Sequence, residues 1–129
     1  MKFNSQICTT RDQSERLLAL GLKKETADMV YQYLNQFDGW YLHPLSEEEG
    51  IIHTEIPAWS LHRLIEMMPT MIKRHNQLWE LSINGEGVIY FRKDTTALIE
   101  DIADNVFDNM IGIIEWLIKE GYFNKEYLV

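Results

Sequence analysis

The sequence predicts an α+β fold: an N-terminal helical pair, a short central helix, a β-hairpin with one or two extra short strands, and a long C-terminal helix packed on the sheet. Three stretches carry this reading. Leu61, Leu64, Ile65 and Met68 recur at helical spacing between a capping Ser60 and a terminating Pro69, a short helix with both ends written into it. Gln77-Leu78-Trp79-Glu80-Leu81-Ser82-Ile83 alternates, Asn84-Gly85-Glu86-Gly87 turns, and Val88-Ile89-Tyr90-Phe91-Arg92-Lys93 returns, which is the pattern of a hairpin. Leu98, Ile99, Ile102, Val106, Met110, Ile113, Ile114 and Leu117 then step along at three- and four-residue spacing.

Taken in chain order, residues 1–9 read as a loose arm. Thr9 or Thr10 caps a helix over residues 11–20, with Leu17, Leu18 and Leu20 as its buried side. Gly21 suits the position after the helix, where a positive φ is free of Cβ strain, and Leu22 follows as the apolar contact of that stop. Glu25-Thr26 opens a second helical segment to about Leu34, with Ala27, Val30, Tyr31 and Leu34 inward. Two helices around a glycine invite a helix-turn-helix. Residues 25–35 hold no basic side chain, however, so a pair that merely packs is favoured.

The middle of the chain is irregular. Phe37-Asp38-Gly39 signals a turn, Trp40-Tyr41-Leu42-His43 a short strand before Pro44, and residues 51–55 a second short strand. Ser46-Glu47-Glu48-Glu49-Gly50 reads as a solvated loop, a commoner fate for adjacent carboxylates than cation binding. Lys73, Arg74 and His75 form a tight basic cluster in a linker that enters the hairpin.

Two hairpin registers are favoured over a three-residue loop, which would flip the faces. A two-residue Asn84-Gly85 turn sets Leu81 opposite Val88, and a four-residue turn shifts every partner by two. Both leave Trp79, Leu81, Ile83, Val88 and Tyr90 on one face and Leu78, Ile89 and Phe91 on the other. Asp94 caps the last helix and Gly121 ends it; the span is long enough that a break near residues 101–104 is expected as an option. Phe107 and Trp116 widen its apolar sector, and Asp101, Asp104 and Asp108 read as a solvated acidic stripe on its outer face.

Composition sets the class. A chain of 129 residues with 46% hydrophobic content suits one compact domain over residues 1–129. The formal charge of −8, from 20 acidic against 12 basic residues, argues against a phosphate-backbone binder and for a basic or neutral partner. A single cysteine, Cys8, leaves no internal disulfide and fits a reducing compartment. Met1-Lys2-Phe3-Asn4-Ser5-Gln6 has no apolar run behind its lysine, so no signal peptide is expected, and no window approaches the roughly 20 apolar residues of a membrane span. A cytoplasmic protein without a membrane partner is the expectation.

No nucleophile motif, phosphate loop, Cys/His metal spacing or dinucleotide fingerprint is present, so no catalytic residue, cofactor or metal ligand is assigned. The histidines His43, His53, His62 and His75 fall on different elements. His62 and Glu66 share one helix face at i, i+4, a spacing common in surface decoration. The candidate interaction surface is the set Trp40, Tyr41, Glu47, Glu48, Glu49, Ile51, Ile52 and Trp59, aromatic anchors in an irregular segment beside an acidic loop, although such tryptophans and tyrosines are more often core. It would suit a protein partner carrying basic residues. A non-enzymatic protein-interaction or adaptor module is therefore expected. The alternatives are a nucleic-acid-associated regulator using the first two helices with Lys73-Arg74, and a small metal-dependent hydrolase built on His53, His62 and Glu66.

Further segments carry a resemblance: Gln13-Ser14-Glu15-Arg16-Leu17-Leu18 with Gly21-Leu22 and Glu25-Thr26-Ala27-Asp28-Met29, then Pro57-Ala58-Trp59-Ser60-Leu61 with Met67-Met68-Pro69, then Trp116-Leu117-Ile118 with Gly121-Tyr122-Phe123. In this order, and over most of the chain, they resemble small uncharacterised proteins of phages and mobile elements in gut Bacteroidetes. The resemblance implies a setting, a bacterial cytoplasm and accessory mobile-element genes, and brings no activity with it.

Overall fold

Helix α1, Arg11–Ala19, starts on a reciprocal cap. The Thr10 hydroxyl accepts the Gln13 backbone N–H, and the Gln13 side chain accepts the Thr10 N–H. Gly21, at φ 103°, turns the chain out of the helix as expected, and Leu22 behind it is buried. A computed structural model describes residues 5–45, 50–52, 54–85, 87–94 and 96–129. Their contacts divide the chain into two compact units, residues 1–65 with 126–129, and residues 66–125.

The first unit corrects the expected helical pair. Lys24–Thr26 makes a single 3-10 turn, and the chain then runs as strand β1, Met29–Leu34. The apolar positions Ala27, Val30, Tyr31 and Leu34 match a helical period. The alternation through Val30, Gln32 and Leu34, with Tyr31 and Tyr33 between, fits a pleated strand equally, and β-branched and aromatic residues favour it. A 3-10 turn, Asn35–Phe37, leads through Asp38 in the left-handed region, at φ 46°, into β2, Gly39–Pro44. The expected turn and short strand are both found here.

A third strand, β3, Ile56–Ala58, pairs with the other edge of β1, so the order is β2-β1-β3, all antiparallel. The strand expected over residues 51–55 therefore lies later in the chain, and the described part of 51–55 is turn and irregular backbone. The last residues close this unit: Leu128 bridges Leu22, the Val129 N–H donates to the Gly21 carbonyl, and the Lys23 N–H donates to the Tyr127 carbonyl.

Helix α2, Leu61–Met67, is the short helix the sequence delimits. The Ser60 hydroxyl accepts the Arg63 N–H at 3.1 Å and donates to Asp28 at 2.5 Å, and Asp28 also accepts the Ser60 N–H. Leu64, Met67 and Met68 are buried, whereas His62 and Glu66 are exposed.

The second unit is a four-stranded antiparallel sheet with one helix. Its order is β4-β5-β6-β7, from Met71–Arg74, Gln77–Asn84, Gly87–Phe91 and Ala97–Asp101. Thus the expected single hairpin with extra strands is two separate sheets. Ile83 pairs with Val88 and Leu81 with Tyr90, the second of the two registers, and the faces fall as the parity argument requires. Lys73 and Arg74 are not in a linker: they belong to β4, and the next two residues, His75 and Asn76, both take positive φ in a tight turn that twists with the strands.

The long C-terminal helix is the largest correction. Residues 97–101 form β7, and the helix α3 is Val106–Glu120, capped by Asn105 and not by Asp94. Leu98 and Ile99 belong to a strand, so their helical spacing with Ile102 was coincidental. Asp101 ends β7, and only Asp108 of the three aspartates lies in α3, so no acidic stripe runs along a helix. Phe107, Met110, Ile113, Ile114 and Leu117 are buried, Trp116 is half-buried, and Gly121 ends the helix at φ 80°.

Candidate functional site

The β1–β2 hairpin gathers aromatic rings at its tip. Register places Tyr33 directly opposite Trp40, and their rings meet edge-to-face with centroids 5.5 Å apart. Phe37, in the connecting turn, meets Tyr41 in the same way at 5.6 Å, on the opposite face of the hairpin, since Tyr41 pairs with Gln32 and alternates with Trp40. These side chains remain exposed, at 41% for Tyr33, 62% for Phe37, 37% for Trp40 and 43% for Tyr41.

Two polar groups complete the tip. The Tyr33 hydroxyl donates to the Asp38 carboxylate, which holds that phenol above its ordinary pKa because the hydrogen bond favours the protonated form. The Arg11 guanidinium lies over the Trp40 ring, 4.8 Å from its centroid. Below the tip the hairpin is fastened to the segment before α1. The Tyr31 hydroxyl donates to the Thr9 carbonyl at 2.8 Å and lies 3.6 Å from the Cys8 thiol. Burial, with the Cys8 contact, raises the Tyr31 phenol to about 12, so it stays a neutral donor.

Of the sequence-derived surface, Trp40 and Tyr41 lie in this cluster. Ile52 is exposed and Ile51 half-buried, and Glu47, Glu48 and Glu49 lie outside the described residues. Trp59 does not belong to the surface. It is fully buried, and its indole N–H donates to the Thr26 hydroxyl at 3.0 Å, the kind of partner a buried tryptophan requires. Sequence reasoning omitted Tyr33, Phe37 and Arg11. The signal was present: Tyr31-Gln32-Tyr33 before a Phe37-Asp38-Gly39 turn and Trp40-Tyr41 after it describes an aromatic hairpin once residues 29–34 are read as a strand.

The other candidates separate. Arg74 sits 3.7 Å from the Glu120 carboxylate and over the Trp116 ring at 5.8 Å, so the basic cluster is partly neutralised within its own unit. The second helix that a helix-turn-helix needs is strand β1. His53 lies outside the described residues, and among the described residues no three His, Cys, Asp or Glu side chains are grouped to hold a metal ion. No helix among them is long and apolar enough to cross a membrane. No protein-family model matches the chain, and no curated protein or solved structure is significantly similar to it.

Proposed function

We propose that the chain is a non-enzymatic protein-interaction module that binds through the tip of the β1–β2 hairpin, in the bacterial mobile-element setting its motifs resemble. One observation carries the reading: the hairpin tip exposes an aromatic ring pair on each face, Tyr33–Trp40 on one and Phe37–Tyr41 on the other, on a hairpin anchored by Tyr31 and Thr9. Exposed aromatic pairs are costly in water and characteristic of interface anchors. The net charge of −8 favours a partner with basic residues. A photo-crosslinking amino acid at Gln36, in the tip turn, tests the reading in lysate of a gut Bacteroidetes host. A discrete protein adduct absent from a control at the exposed Lys119 is expected. Equal labelling from both positions, or nucleic acid in place of protein, would overturn it.

A further inference from the structure

Arg11 is the first residue of α1, where the helix dipole and unsatisfied N–H groups disfavour a cation. Its guanidinium is instead seated on Trp40, the half-exposed ring of the hairpin tip. The Trp40 face therefore accepts a guanidinium in this molecule, and the residue that supplies it gains nothing from its own helix. An exposed carboxylate stands beside the place: Asp38 accepts the hydroxyl of Tyr33, the ring that meets Trp40. Its charge would favour a second cation arriving from outside.

We propose that the hairpin tip recognises an arginine-bearing segment of its protein partner, and that Arg11 is an internal stand-in which the partner's guanidinium displaces from Trp40. This rests on the interaction reading above and adds the chemistry of the ligand. A cation over an indole holds more weakly when solvent-exposed than when a partner desolvates it, so the exchange favours the bound state. The planar guanidinium, which stacks on rings as an ammonium does not, makes arginine preferred over lysine.

The test is a titration of fluorescein-labelled Gly-Ser-Arg-Gly-Arg-Gly-Ser into the full chain, followed by anisotropy, with lysine and citrulline versions as controls. Arg11→Ala should bind the arginine peptide about 2- to 5-fold more tightly than wild type, the gain of vacating one exposed cation–π site. Trp40→Ala should lose binding, and citrulline, which keeps the shape without the charge, should bind far more weakly than arginine. Arg11→Ala binding no more tightly than wild type, or citrulline binding as well as arginine, overturns the proposal. A Gln36 crosslink to protein that persists beside such a result would leave the interaction surface standing and remove only the arginine chemistry. Loss of both would remove the surface itself.

Discussion

The Asp101 carboxylate, at the end of β7, fills the space where a side chain on Gly112 of α3 would stand. A side chain on Gly112 must therefore displace the Asp101 carboxylate. Gly112→Ala improves helix propensity by about 1 kcal/mol but must push the carboxylate aside, an overpacking of about 1–3 kcal/mol. The steric term should win, and chemical denaturation should show a net loss of about 1 kcal/mol. In an Asp101→Ala background the same substitution should become stabilising, so the double-mutant cycle changes sign. Equal effects in both backgrounds would contradict the contact.

Leu64 of α2 and Trp116 of α3 look equivalent as periodic apolar residues, but the structure separates them. Leu64 is fully buried, and Leu64→Ala should cost about 2–5 kcal/mol. Trp116 lies half-exposed between Arg74 and Tyr122, so Trp116→Ala should cost nearer the 0.5–1.5 kcal/mol of a ring pair. Urea denaturation of the two variants checks the order.

Burial pushes the Cys8 thiol up, and the Tyr31 hydrogen bond offsets this only in part. Because the folded state favours the protonated thiol, this contribution to stability is present below the unfolded value, about 8.5, and is lost as pH rises through it toward the folded one. Cys8 should therefore react much more slowly with a disulfide reagent at pH 8 in the native protein than in urea. Equal rates would place the thiol in solvent.

Legibility followed how many independent signals a segment carries. Residues 60–69 state a cap, a period and a stop, and α2 occurs where they place it. The β5–β6 hairpin was legible in faces because parity survives either turn length. Residues 25–34 carried apolar spacings compatible with two periods and no stop signal, and the strand won through pairing with β2 and β3, which no local window contains. Residues 97–101 failed in the same way: β6 recruits them as an edge strand, while Asn105, the true cap, lies inside the supposed helix. The site inherited these errors. Trp40 and Tyr41 were found, but Tyr33 was hidden in a false helix, and Trp59 required knowledge that Thr26 meets its indole.

The central claim is that the hairpin-tip aromatics serve binding and not stability. The measurement that tests it most directly is crosslink yield at Gln36 in a Trp40→Ser/Tyr41→Ser variant, which breaks the ring pair on each face, with its fold confirmed by denaturation. Both side chains are exposed, so each loss should cost no more than the roughly 0.5–1.5 kcal/mol of one ring pair. The account predicts that the folded variant loses the partner adduct. An undiminished adduct from the folded variant would contradict it.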